Sequence, residues 1–140
     1  MKKAICLYLC ILSFTGVLTL WTKEGIAAPD SYVKILEIEP DPSIPLVVGK
    51  NVHFKATIKY QVDEASAMIS LLIQKAGSSQ DEDVFLGSVE DVLTQGKGNI
   101  TLEKTVKIPD TKAVQVFTFL KIPGQTKTSM VDMKYYKVIK

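Results

Sequence analysis

From residue 31 onward apolar and polar side chains alternate with a period of two, and the spacing of an amphipathic helix is nowhere sustained. The cleanest case is NVHFKATIKYQV, residues 51–62. Val52, Phe54, Ala56, Ile58, Tyr60 and Val62 fall on one parity, and His53, Lys55, Thr57, Lys59 and Gln61 on the other. That pattern predicts a strand with one face in a core and the other in water. SYVKILEIE (31–39) predicts another, whose apolar parity slips from Val33 and Ile35 to Leu36 and Ile38, as a β-bulge would produce. The three prolines of PDPSIP (40–45) end it. LVV (46–48) forms a short edge piece before Gly49-Lys50.

After a turn at DEA (63–65), SAMISLLIQK (66–75) predicts a strand covered on both faces. Ala67, Ile69, Leu71 and Ile73 share one parity, and Met68 and Leu72 lie on the other. VFLGSV (84–89), ITLEKTVKI (100–108), AVQVFTFLKI (113–122) and MVDMKYYKVI (130–139) complete seven strands. A polar loop at 76–83, a glycine-bearing connection at 90–99 and turns at 109–112 and 123–129 join them, the last two as hairpins between neighbours. Short strands with turn chemistry between them predict an all-β fold, an antiparallel sandwich of two sheets. Residues 28–140 form its one domain.

The first 27 residues have a different character. Lys2 and Lys3 precede an uncharged run over 4–22, and Gly25 and Ala27 supply small residues suited to signal-peptidase cleavage before Ala28. The run is long for a signal peptide and nearly meets the length of a membrane span, so a retained N-terminal anchor is the alternative. Either way the remainder is expected to be exported, to the periplasm, the cell surface or the medium. A lipoprotein would need a small residue before its modified cysteine, but Cys6 follows Ile5 and Cys10 follows Leu9.

Those are the only cysteines. Residues 28–140 therefore have no disulfide, thiol nucleophile or thiolate ligand, and core packing must hold the domain together. All seventeen basic residues are Lys. Without Lys2, Lys3, Lys23 and Glu24, the domain holds 14 Lys against 14 Asp and Glu, a formal charge of zero. A nucleic-acid partner calls for a basic excess, and phosphate recognition favours the arginine fork; neither exists here.

PLVVGKNVHFKATIKYQVDEA resembles the start of bacterial immunoglobulin-like or fibronectin-III-like modules, in which a Pro and a Gly precede a long alternating second strand. VLTQGKGNITLEKTVKIP followed by AVQVFTFLKI resembles their later strands. The resemblance spans residues 31–139 and rests on strand patterning and turn placement. The chain departs from it in lacking the inter-sheet cysteine pair, and its only Trp is Trp21. Phe54, Tyr60, Phe117 or Phe119 must then fill the volume of the family's buried tryptophan. The resemblance implies a fold and, by association, a binding or spacer role.

Candidate chemistry is sparse. His53, the only histidine, lies on the polar parity of its strand and is read as exposed. No nucleophile or acid partner can be assigned to it, and one imidazole makes no metal centre. Asp81, Glu82 and Asp83 cluster in the 76–83 loop and are the one grouping suited to calcium, though without the spacing of an EF-hand. Asp63-Glu64 and Glu90-Asp91 are acidic pairs read as solvated. Gly96-Lys97-Gly98 lacks phosphate-loop spacing and predicts a turn with positive φ. Asn99-Ile100-Thr101 fits a glycosylation sequon. Tyr135 and Tyr136 point to opposite faces of the last strand, one to the core and one to the surface, and are the candidate binding residues. No cofactor is expected. The predicted function is a non-catalytic interaction or structural module with protein partners at the cell envelope and no nucleic acid, meeting the membrane only through an uncleaved N-terminal segment. A carbohydrate-binding or substrate-docking accessory domain is the alternative.

Overall fold

In a computed structural model of the chain, structure is described for residues 31–76, 84–125 and 129–140, and side chains within the last stretch from 132. The leader and the Asp81, Glu82, Asp83 cluster lie outside the described residues. The fold is all-β, a six-stranded mixed, open sheet with no α-helix among the described residues. Its strands are β1 (Tyr32–Glu39), β2 (Leu46–Val47), β3 (Asn51–Lys75), β4 (Phe85–Lys107), β5 (Ala113–Lys121) and β6 (Ser129–Ile139).

β3 is the spine. Along one edge it pairs antiparallel with β1 over Lys55–Gln61 and then with β5 over Met68–Lys75. Along the other it pairs with β4 from Asn51↔Lys107 to Gln74↔Phe85. β6 continues the sheet beyond β5, and the short β2 runs parallel to β6 at the edge, as the brevity of LVV implied.

Two expected interruptions are absent. Residues 63–65 and 90–99 do not reverse the chain, so the four strands expected on either side of them are two long ones. What happens there is a bulge. Val62 faces Gly96 and Ser66 faces Thr94, so Asp63, Glu64 and Ala65 stand opposite Gln95 alone. Buried positions on β3 then pass from even (Phe54, Ala56, Ile58, Val62) to odd (Ala67, Ile69, Leu71, Ile73). On β4 they pass from odd (Gly87, Leu93) to even (Leu102, Val106). A strict period of two would have sent half of these side chains into water; the bulge returns them to the core. Gly96 takes a φ of +141°, which L side chains rarely adopt, so its positive φ serves a strand irregularity rather than a turn.

The bulge is tied down on both sides. Ser31 Oγ donates to Glu64 Oε2 (2.5 Å) and accepts from the Asp63 amide (3.1 Å), while Gln95 Nε2 donates to the Asp63 carbonyl (2.8 Å). The bend brings the two ends of β4 together: a Cβ added at Gly87 would stand 2.9 Å from Val106 Cγ1 and 3.2 Å from Lys104 Cε. The Lys104 stem thus covers the core position that its charge interrupts in the alternation.

Both halves of the bent sheet feed one core. Phe54, from the first half of β3, meets Tyr136 of β6 edge-to-face, with ring centroids 5.3 Å apart at 79°. These two rings fill the aromatic volume of the core; Phe117 and Phe119, also expected there, lie on the opposite parity of β5 and pack against each other at 6.0 Å. The bulge expected in β1 is present at Leu36, since Ile35 faces Ile58 and Glu37 faces Thr57. Beside it the Ile35 amide donates to Asp132 Oδ2 of β6 (2.8 Å), linking the two ends of the sheet. β5 and β6 are antiparallel neighbours, as the hairpin expected between them requires, but 109–112 forms no hairpin: β4 and β5 are not neighbours, and the chain crosses there to the far end of β3.

Candidate functional site

The bent sheet has two outer faces of contrasting chemistry. On the first half β3 presents His53, Lys55, Thr57 and Lys59, and β4 presents Thr101, Glu103 and Thr105 opposite them. Here the structure gives His53 the partners that sequence could not. His53 Nδ1 lies 2.9 Å from Thr105 Oγ1, and Nε2 lies 3.3 Å from Glu103 Oε2, which also sits across from Lys55 (Oε1 to Nζ, 3.7 Å). Carboxylate, imidazole and hydroxyl thus stand in a line, an order that could pass a proton. The His53 and Glu103 side chains are 55% and 46% exposed, so bulk water competes for every bond. On a flat sheet this arrangement does what cross-strand polar pairs do, contributing a few tenths of a kcal/mol each, about 0.2–1. The only sequence signal was that Glu103 and Thr105 share a parity; their register to His53 is a property of the hairpin.

His53 also lies at the rim of an open cleft of about 450 Å³ between the start of β3 and the 40–50 segment. Ile44, Pro45 and Val52 line it with Lys50 and Glu39. The segment is held by Asp41, whose Oδ1 accepts from the Ser43 hydroxyl (2.6 Å) and amide (2.8 Å). Those bonds, the hydroxyl's foremost, hold the Asp41 carboxyl below the usual carboxylate range.

The second outer face is apolar and aromatic. Pairing sets its side chains in rows across the strands. One row runs Phe85, Gln74, Gln115, Tyr135; the next runs Ser88, Leu72, Phe117, Met133. A third carries Glu90, Ser70 and Phe119, with Glu90 Oε1 accepting from the Ser70 hydroxyl (3.0 Å). Beyond it stand Val92 and Met68. Val92 is 69% exposed, Tyr135 56%, Phe85 55% and Met133 41%. Met68 and Leu72 are thus partly exposed, not covered on both faces as their strand was expected to be.

The two candidate tyrosines separate as their parity requires. Tyr135 joins the apolar outer face, while Tyr136 is fully buried and its hydroxyl donates to the Pro40 carbonyl (2.8 Å). Burial, reinforced by the Asp41 carboxylate, pushes the Tyr136 phenol well above its ordinary range. Asp63 and Glu64 are bulge residues and Asn99 lies exposed on β4. No group of His, Cys, Asp and Glu among the described residues is arranged to hold a metal ion. No protein-family model matches the chain, and no curated protein matches it in sequence.

Proposed function

We propose that this chain is an exported, non-catalytic interaction module of the cell envelope, built as an immunoglobulin-like sandwich whose layers are the two halves of the bent sheet. It engages a protein partner through the outer face of β3, β4, β5 and β6. The observation that carries this reading is the contrast between the outer faces. One carries lysine, threonine, glutamate and His53, all polar, as a solvated sheet should. The other holds Phe85, Leu72, Phe117, Phe119, Met133 and Tyr135, with no charge in its first two rows. Contiguous apolar surface of that kind marks protein contact sites, and aromatics and Met are the residues enriched in them. The leader supports export. The Glu103–His53–Thr105 line favours solvation over reaction, because its imidazole and carboxylate are about half exposed to water.

Crosslinking in the intact envelope tests the proposal. Tyr135→Glu and Phe85→Glu should abolish specific adducts that Lys55→Glu and Lys59→Glu retain. Adducts lost with His53→Ala and kept with Tyr135→Glu would assign binding to the polar face instead.

Carbohydrate binding has one observation in its favour: Phe85 and Tyr135 flank Gln74 and Gln115 across three strand spacings, about 14 Å. Rings bracketing amides suit a glycan chain lying across the strands, and a glycan-binding screen separates the two readings. Apolar Leu72, Phe117 and Met133 beside that row offer sugar hydroxyls nothing, which favours protein.

A further inference from the structure

We infer that the partner seated on this face is a second copy of the chain, packed sheet on sheet about a twofold axis that runs between β3 and β5 and parallel to them. The inference rests on the reading of this face as a protein-docking surface. Its first support is the order of residues across the rows. The row Phe85, Gln74, Gln115, Tyr135 is aromatic, amide, amide, aromatic, and is symmetric about the gap between β3 and β5. An isologous interface needs a surface complementary to itself. Under that axis Phe85 of one copy lies over Tyr135 of the other, and Gln74 over Gln115, donor to acceptor. In the next row Leu72 lies over Phe117. Two sheets packed in this way stand about 10 Å apart, which side chains of these sizes fill.

Area is the second support. From the fractional exposures of Phe85, Val92, Met133 and Tyr135, and the partial exposure of Leu72, Phe117 and Phe119, the apolar patch is on the order of 500 Å². A stable dimer buries about 800 Å² on each partner. Gln74, Gln115 and Ser88 within the rows, and Lys121 opposite Met68 at their end, add polar surface to the same face. Charge is the third. The first two rows are uncharged, so the axis opposes no like charges there. Glu90, on the next row, is already held by Ser70.

Sedimentation equilibrium of the exported chain, purified from the envelope or secreted fraction over 1–200 μM, reads the association, with concentrations of that order chosen to bracket a micromolar Kd. The expected result is a dimer whose Kd rises at least about 100-fold with Tyr135→Glu, a change equivalent to about 2.7 kcal/mol, and is unmoved by Lys59→Glu. Tyr135 is more than half exposed, so this variant keeps its fold, which an unchanged thermal melt verifies. The axis makes a sharper demand. Phe85→Cys and Tyr135→Cys should crosslink through a short bismaleimide when mixed, and neither should do so alone. A chain monomeric at 200 μM overturns the inference, as does a dimer indifferent to Tyr135→Glu or one in which Phe85→Cys alone crosslinks. In the monomeric case, envelope adducts lost with Tyr135→Glu leave the protein-docking reading standing with a different partner. Glycan retention lost with the same variant removes both.

Discussion

Tyr136 joins the core to the loop after β1, and replacing it with Phe should reveal both the bond and the burial. The ring stays, so the edge-to-face contact with Phe54 survives; only the hydroxyl's bond to the Pro40 carbonyl is lost. A neutral hydrogen bond contributes about 0.5–1.5 kcal/mol net, and a buried acceptor left unpaired costs about 1–3 kcal/mol. Pro40 is only half-buried, so water can reach its carbonyl and the lower part of that range applies. We expect Tyr136→Phe to cost about 1–2 kcal/mol near neutral pH. Alkaline pH then narrows the difference. The folded phenol ionises well above its usual value, because burial and the Asp41 carboxylate oppose the phenolate. The unfolded phenol ionises near pH ~10. Below that the tyrosine's stabilisation is fully present. Above it the unfolded state loses its proton while the folded state keeps it. Wild-type stability then falls by about 1.4 kcal/mol per pH unit relative to the variant, until the folded phenol also ionises. Urea melts at half-unit steps from pH 8 to 11 should show a gap that is constant to about pH 10 and closes near pH 11. A gap constant across the whole range would refute the desolvation of this hydroxyl, and no gap at pH 8 would refute its bond to Pro40.

Parity along the first half of β3 should govern mutational cost: Phe54→Ala should lose about 3–5 kcal/mol, whereas His53→Ala, Lys55→Ala and Lys59→Ala should each lose less than about 0.5 kcal/mol, all read from denaturant midpoints. Thr118 is fully buried and its Oγ1 has no hydrogen-bond partner among the described residues, so Thr118→Val should leave stability unchanged or raise it by about 1 kcal/mol; a loss of that size would reveal a bonded hydroxyl. Gly87→Leu should be among the most damaging changes outside the aromatic core, because even a Cβ there meets Val106 at 2.9 Å; a thermal melt matching wild type would mean that the ends of β4 are not stacked. Ser31→Ala removes both bonds that hold the bulge from the β1 side and should cost about 1–2 kcal/mol, with faster amide exchange at Asp63 as its local signature.

Alternation is a property of each residue and its next neighbour but one, so it is readable without the fold. Phe54, Ala56, Ile58 and Val62 were legible as core, Leu36 as a bulge, the LVV piece as an edge, and Tyr135 and Tyr136 as opposites. The bend was not. Asp63-Glu64-Ala65 and the glycines near 96–98 carry the composition of turns, and the same residues serve a chain that reverses and one that bulges. What decides is the partner strand: Val62 stays paired to Gly96 and Ser66 to Thr94, so the ladder resumes beyond the bulge. The 109–112 segment shows the same limit, since local chemistry gives a change of direction without saying which strand lies beside the next. Phe117 and Phe119 were placed in the core because they are large and apolar, but their parity puts them outside once β5 is paired to β3 through Val116↔Ile73 and Leu120↔Ile69. His53, Glu103 and Thr105 met for a related reason. Their line comes from the register of one hairpin joining residues fifty or more positions apart, and register is set by the burial of the opposite face, not by the residues that it brings together. Local alternation therefore shows which residues share a face of a strand, while which face is buried and which strands lie side by side come from the fold, because pairing and layering depend on contacts far apart in the chain.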